Sequence, residues 1–316
     1  MTKIVSKCIV LSTFIWLISC SMTPKIDNAT MLDGGKINEP SIVNPADYLI
    51  SQQKSTPNKH LINKAVVIAI HGYSATTFEW DEFRKFANAD SSVLVSQVLL
   101  GGHGRSYEAF KSAKWQDWQQ PIIDEYRKLD SLGYTNIYLV GSSAAAPLII
   151  NAIKNNLLPR SNAPKGIFFI DPFIISINKF LYVSKILGPI LSYTKIELTD
   201  GEKGKWYVYR PQESLNELRE LITLTCEDLE QGVTLPEKTF LKAYISTGDD
   251  VANPEGEKLI RNGIKTSNGK AVEVEMIDSK LHVFTRLAGR DNINKQDSTT
   301  QKRVFNEIKS RIARKL

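Results

Sequence analysis

From Lys64 onward the chain alternates between two patterns. Short, predominantly apolar runs occur at 64–72 (KAVVIAIHG), 92–100 (SVLVSQVLL), 135–141 (TNIYLVG), 165–171 (KGIFFID), 240–247 (FLKAYIST) and 271–278 (AVEVEMID). Such runs fit strands buried on both faces, as in a parallel sheet. Between them apolar positions recur every three or four residues, the spacing of one helix face. These stretches are 78–89 (FEWDEFRKFANA), 115–133, 145–156, 254–264 and 299–316. Strand–helix alternation predicts an α/β fold, a mostly parallel central sheet with helices on both faces.

One interval breaks the rhythm. About seventy residues separate Asp171 from Thr239, where a single helix would suffice. They hold an apolar, aromatic segment (PFIISINKFLYVSKILGPILSY), a Gly/Lys turn at GEKGK and an amphipathic stretch, SLNELRELITLTCEDLEQG. Leaving the carboxyl end of a strand, residues 172–238 are expected to form an inserted cap that roofs a site. Phe173, Phe180, Leu181, Ile186, Leu187 and Ile190 would offer it an apolar lining.

The first twenty residues follow another rule. Lys3 and Lys7 precede an apolar stretch from Cys8 to Ile18, too short to span a bilayer comfortably and suited to the core of a secretory signal. It ends in Leu17-Ile18-Ser19-Cys20, which resembles the lipobox of bacterial lipoproteins. The resemblance implies removal of residues 1–19 and lipidation of Cys20, so that several acyl chains anchor the chain to a membrane. It places the protein in a bacterial cell envelope, and Ser21 favours the outer membrane if the cell has one. Residues 20–63, rich in Ser, Thr, Asn, Pro and Lys, read as a tether. Core segments are then expected at 64–171 and 239–316.

Composition changes this picture little. With 316 residues, 42% hydrophobic and 23% charged, the chain suits one large domain. The formal charge of +6 includes Lys3 and Lys7, so the remainder is only mildly basic and nothing suggests nucleic acid. Part of that charge lies in the terminal RVFNEIKSRIARKL, readable as a solvated helix face or as a patch for anionic headgroups. Of three cysteines, Cys226 alone remains after Cys8 is removed and Cys20 modified, so no internal disulfide is expected. Trp80, Trp115, Trp118 and Trp206 read as core or cap-interface residues rather than carbohydrate platforms.

The candidate chemistry lies in loops that leave the carboxyl ends of strands, where open parallel sheets gather their sites. Strand TNIYLV runs into Gly141-Ser142-Ser143-Ala144-Ala145, and a helix follows at once. A serine nucleophile on a strained strand–turn–helix elbow needs tiny residues two before and two after it. Ser143 has Gly141 and Ala145 there, whereas Ser142 would have Val140; Ser143 is the candidate. Ala145 stands where such elbows usually carry glycine. A base is supplied by His282, in DSKLHVFTR beyond the last strand, and a carboxylate to orient it by Asp249 or Asp250 in TGDDVANPEGE.

The order Ser, Asp, His and these motifs resemble the α/β-hydrolases, in particular the capped monoacylglycerol lipase and carboxylesterase group, from Lys64 to the C-terminus. Matching Val251, Pro254, Glu255 and Gly256 to that group's G-x-x-D-x-V-V-x-P-E-G stretch implies Asp249 as the acid, with Asp250 as the alternative. The resemblance further implies an oxyanion hole of the Tyr73 and Ala144 N–H groups, with His71 structural. LLGGHGRS (99–106) resembles the group's LPGHGxS loop, making His103 a strut. No carboxylate or thiol accompanies His71 and His103 at metal-ligand spacing. The implied function is a membrane-anchored serine hydrolase cleaving carboxylic esters, lipase- or esterase-like, without cofactor or metal, acting on an ester or lipid with an apolar acyl group. A peptidase or thioesterase on the same triad, and a non-catalytic envelope protein with this fold, are the other readings.

Overall fold

The computed structural model describes residues 44–89, 92–177, 192–291 and 293–313. The expected signal segment, Cys20 and the first part of the expected tether lie outside the described residues. So do Phe180, Leu181, Ile186, Leu187 and Ile190.

The six apolar runs form one sheet. In chain order the strands are β1 (Ala65–Ile70), β2 (Val93–Val98), β3 (Ile137–Ser142), β4 (Gly166–Ile170), β5 (Tyr193–Lys195), β6 (Tyr209–Pro211), β7 (Val233–Thr234), β8 (Phe240–Ser246), β9 (Ile264–Lys265) and β10 (Glu273–Ile277). The large sheet has the order β10-β8-β4-β3-β1-β2, every neighbouring pair parallel. β5–β6 and β7–β9 are two-stranded pieces that the apolar pattern did not reveal.

The helices are α1 (Ile50–Gln53), α2 (Lys59–Ile62), α3 (Asp81–Asn88), α4 (Tyr107–Ser112), α5 (Trp115–Ser131), α6 (Ala145–Lys154), α7 (Gln212–Gln231), α8 (Gly256–Gly263) and α9 (Lys295–Ala313). Alternate strand residues point to opposite faces, and the core divides accordingly. Val66, Ile68, Ile70, Leu139, Phe169 and Ala243 pack with Ile122 of α5, Ile149 of α6 and Leu221 of α7. Val67, Ala69, Val140, Phe168 and Tyr244 pack with Phe83 of α3 and with Val304, Phe305 and Ile308 of α9. Both faces of the inner strands are therefore covered, which is why those strands read as nearly continuous apolar runs; the edge strand β10, with Glu273 and Met276 exposed, alternates instead. The four tryptophans singled out above are buried in these layers and their margins.

Two sequence boundaries are corrected. The tether expected over 20–63 is docked partway along: Tyr48, Ile50 and Ser51 are buried against the domain, while most of 52–60 is exposed. The Ile50 N–H donates to Ser96 Oγ (2.9 Å), and the Ser51 N–H to the buried Glu125 (3.1 Å). Two apolar residues in a polar stretch give no periodicity, so this contact left no pattern. The cap was read to residue 238, yet α7 lies in the sheet-covering layer, with Leu218, Leu221, Ile222 and Leu229 in the main core. Parallel neighbours β4 and β8 require a crossover, usually a helix against the sheet, and α7 is that crossover. What remains above the sheet among the described residues is the β5–β6 hairpin with its connection.

Two arginines of the basic terminal helix are paired with carboxylates of β10 and of the helix itself. Arg311 makes a forked contact to Glu273, Arg303 pairs with Glu275, and Lys242 lies between Glu275 and Glu307. No helix among the described residues is long and apolar enough to cross a membrane.

Candidate active site

β1 pairs with β2 on one side and β3 on the other, so the chain's strand order reverses at β1. A crevice at such a switch point opens beyond the carboxyl ends of the strands. The loops leaving β1 and β3 meet there, with Gly72 facing Ser143. A Cβ on Gly72 would lie 2.9 Å from the Ser143 Cβ, so only glycine permits this approach.

Ser143 sits between β3 and α6 with φ of 51°, the left-handed region that a residue with a Cβ adopts at a cost of about 1–2 kcal/mol. Its backbone is held from both sides: its N–H donates to Ile170 O (3.0 Å), and its carbonyl accepts from Phe173 N (3.0 Å) and Ala146 N (3.2 Å). The tight turn explains its small neighbours. A Cβ on Gly141 would come within 2.7 Å of Ile149 Cδ1 and 3.0 Å of the Ala145 Cβ. The alanine is accommodated because position 141 has no side chain.

The structure brings three of the sequence candidates into one hydrogen-bonded chain. Ser143 Oγ lies 2.8 Å from His282 Nε2, and His282 Nδ1 lies 2.7 Å from Asp249 Oδ2. A carboxylate only accepts, so Nδ1 carries the proton and the Nε2 lone pair faces the serine hydroxyl. Asp249 is buried, and its Oδ1 accepts from Val251 N (2.8 Å) and Ala252 N (3.0 Å), which fixes the carboxylate plane. Asp250, the alternative acid, is exposed. Burial alone would lower the His282 pKa. The hydrogen bond and charge of Asp249, with the charges of Asp171 and Glu79, outweigh it and hold the imidazole above its ordinary value.

The Tyr73 and Ala144 N–H groups make no hydrogen bond among the described residues. Both flank Ser143: Ala144 follows it at the N-terminus of α6, and Tyr73 follows Gly72. The helix N-terminus adds a favourable field for negative charge. His71 is fully buried and burial pulls its pKa down to about 4. Its Nδ1 donates to Gly72 O (2.8 Å) and its Nε2 accepts from Leu100 N (3.1 Å), so it is a neutral brace between two loops. His103 is likewise buried, with a pKa held well below the ordinary value by burial and by His71; it donates through Nδ1 to Gly101 O (3.1 Å). No group of residues able to hold a metal ion occurs among the described residues.

Several supporting residues escaped the sequence reading. Asp171, at the end of β4 with φ of 44°, accepts from Ser246 N (2.7 Å) and Phe284 N (3.1 Å). It thereby ties the end of β8, which leads to Asp249, to the loop bearing His282. Burial raises its pKa to about 6, against the pull of the His282 charge and with the push of Asp249. Glu79 is buried beneath the Gly72–Tyr73 loop, where its Oε1 accepts from Gly72 N (2.7 Å) and from the Ser142 hydroxyl. Arg290 donates to the His282 carbonyl. Glu82 Oε2 accepts from Leu287 N (2.7 Å) and Ala288 N (2.9 Å), bracing the same loop.

Backbone strain marks the same place. Of six non-glycine residues with positive φ among the described residues, four (Ser74, Ser143, Asp171 and Val283) lie on the loops that build this site. Val283, β-branched at φ of 53°, directly follows His282. Strain of this kind persists where the surroundings over-determine it, commonly at functional sites.

No protein-family profile matches the sequence, and no curated protein matches it. Solved structures do resemble the fold. One of the metagenome-derived lipolytic enzymes LipS and LipT is 18% identical with a TM-score of 0.61, over 78% of this chain and 94% of that one. A monoacylglycerol lipase of Paleococcus ferrophilus is 12% identical with a TM-score of 0.57, over 78% and 96%. A soluble variant of monoglyceride lipase from Saccharomyces cerevisiae, in complex with a substrate analogue, is 12% identical with a TM-score of 0.60, over 80% and 87%. At such identities the likeness is one of fold.

Proposed function

We propose that this chain, which has the α/β-hydrolase fold, is a serine hydrolase cleaving carboxylic esters through an acyl-enzyme. The observation that carries the proposal is the Ser143–His282–Asp249 chain, with contacts of 2.8 and 2.7 Å, at the switch point of the sheet. His282 Nε2 takes the Ser143 proton as Oγ attacks the acyl carbonyl, and Asp249 keeps the imidazole oriented and stabilises the imidazolium. The carbonyl oxygen gains charge in reach of the Tyr73 and Ala144 N–H groups, where one such donor is worth roughly 100- to 1,000-fold in rate. Collapse of the tetrahedral species expels the alcohol, which receives the proton from His282. Water then attacks the acyl-enzyme with His282 as base, releasing the acid and restoring Ser143. No redox or metal step is required.

Support for esters over other acyl compounds comes from the lipases among the structures of like fold. An apolar acyl group is favoured by the sequence of the insertion. The lipobox-like segment supports an anchor on Cys20, which would hold the enzyme at a membrane close to lipid esters.

A fluorophosphonate probe and a chain-length series of p-nitrophenyl esters test the reading. The wild type should label and hydrolyse; Ser143→Ala should do neither. A folded wild type that is inert to both, or equal turnover by the two proteins, would overturn it.

A further inference from the structure

A cation with no ion pair among the described residues stands over the ring of Tyr73. Arg210 belongs to β6 of the hairpin above the sheet, and its guanidinium carbon lies 5.7 Å from the centre of the Tyr73 ring. Its Nε is closed off from solvent and has no hydrogen-bond partner, and no ion pair of Arg210 occurs among the described residues. Tyr73 is itself partly exposed, and its hydroxyl is 2.6 Å from Ser214 Oγ. One residue thus carries both the proposed oxyanion donor on its backbone and the Arg210 contact on its ring.

The carboxylate whose charge reaches Arg210 is already occupied. Glu202 Oε1 accepts from Arg286 Nη2 (2.8 Å) and its Oε2 from Thr199 N (3.2 Å). Arg286 is also stacked over Trp206, 4.4 Å from the ring centre. Arg290 feels Arg286 as a like charge and Glu202 as an opposite one. Three guanidinium groups therefore feel one carboxylate, which pairs Arg286 alone. Arg290 turns to the carbonyls of Arg286 and His282, whereas Arg210 has no side-chain hydrogen bond among the described residues. Arg210 is half-buried, its Nε closed off from solvent. Burial pulls its pKa down, against the pull of Tyr73 and Glu202.

Leaving a guanidinium in such a place is costly unless something pairs it. Its planar fork of donors matches a carboxylate in two parallel hydrogen bonds, a geometry that a lysine cannot reproduce. We infer that Arg210 forms an anion subsite, so that the esters this enzyme takes carry a carboxylate group beside the scissile ester. This deepens the hydrolase reading and rests on it. The subsite acts on binding, so its effect belongs in KM more than in kcat.

Two substrate arms locate the anion. In the first it lies on the acyl side: p-nitrophenyl half-esters of succinate, glutarate and adipate, each beside its neutral methyl ester. In the second it lies on the alcohol side: 4-acetoxybenzoate beside its methyl ester. In at least one arm the wild type should prefer the anionic member, through a lower KM. Arg210→Gln should cut that anionic-to-neutral ratio of kcat/KM by roughly 10- to 100-fold, and Arg210→Lys should restore part of it. No preference in either arm, or equal losses on both members of each pair, would overturn the subsite.

Calorimetry separates this from the hydrolase reading. Monoethyl glutarate and 4-acetoxybenzoate are titrated into Ser143→Ala and into Ser143→Ala/Arg210→Gln. Saturable binding of either probe that is lost in the double variant supports the subsite even if no ester is turned over. Binding that is absent from both, or equal in both, overturns it.

Discussion

Asp171→Asn perturbs a group that the mechanism does not consume but that the site is built around. Asp171 is 1% exposed and accepts two backbone N–H groups, one from Ser246 and one from Phe284. Burial raises its pKa to about 6 from an ordinary 3.8. The folded state therefore binds the proton more tightly than the unfolded chain does. Stability from this group is greatest at low pH and is lost as the pH rises towards the folded pKa. Between pH 4.5 and pH 7.5 that loss amounts to about 2 kcal/mol.

Asparagine keeps the size, does not titrate, and turns an amide NH2 towards one of the two N–H groups. Its stability should thus lack this pH dependence while suffering a constant penalty of roughly 1–3 kcal/mol for the N–H left without an acceptor. Urea unfolding of both proteins at several pH values gives the difference, with groups remote from position 171 cancelling; running the pair also in a His282→Ala background removes the coupled imidazole. The wild type's advantage over Asp171→Asn should shrink by about 2 kcal/mol from pH 4.5 to pH 7.5. A difference that stays flat, or grows with pH, would refute the account of a carboxyl kept from ionising by its surroundings.

Further outcomes follow from the same geometry. Since His282 must be neutral to accept a proton and its pKa is held above 6.5, the acidic limb of the kcat/KM profile should lie above pH 6.5. In Asp249→Asn the supporting charge is gone, so that limb should move down while kcat falls by roughly 10⁴-fold. A profile unchanged in that variant would argue against Asp249 as the partner of His282. Gly72→Ala places a methyl 2.9 Å from the Ser143 Cβ; a large loss of kcat with little change in melting temperature is expected, and undiminished turnover would contradict the close approach. Lys242 is 6% exposed between Glu275 and Glu307. Lys242→Met should lower stability by only about 1 kcal/mol, because Glu275 and Glu307 keep Arg303 and Arg311 as partners; a loss above about 3 kcal/mol in urea unfolding at pH 7 would contradict this. Expression of Cys20→Ser in a bacterial host, followed by fractionation, should move the protein from the membrane to the soluble fraction; unchanged partition would remove the lipid anchor.

What the sequence determined is what neighbouring residues settle among themselves. Six predominantly apolar runs, each long enough for a strand and closed by glycine or polar residues, specify a sheet whose inner strands are buried on both faces. Gly141 and Ala145 distinguish Ser143 from Ser142, because an elbow of that tightness has room for a methyl on one flank and none on the other. The placement of chemistry at strand ends also follows from local order, since each candidate comes directly after a strand.

The tertiary structure decided whatever depends on residues far apart in the chain. Asp249 rather than Asp250 faces His282 because the turn aims one carboxylate inward through the Val251 and Ala252 N–H groups and leaves the other in solvent. Asp171 and Glu79 look like ordinary acids in sequence; their importance lies in backbone N–H groups brought to them by folding, 113 residues away for Asp171 and Phe284. α7 reads as part of an insertion until β4 and β8 are seen side by side and a crossover must cover them. Residues 44–62 carry no period, because two buried apolar side chains and a few hydrogen bonds suffice to dock that stretch. Arg210 has no motif at all: it becomes conspicuous only when the fold closes its Nε off from solvent beside the Tyr73 ring and Glu202 pairs with Arg286. Local patterns are written in spacing, whereas a partner's absence can be read only once every neighbour has a position.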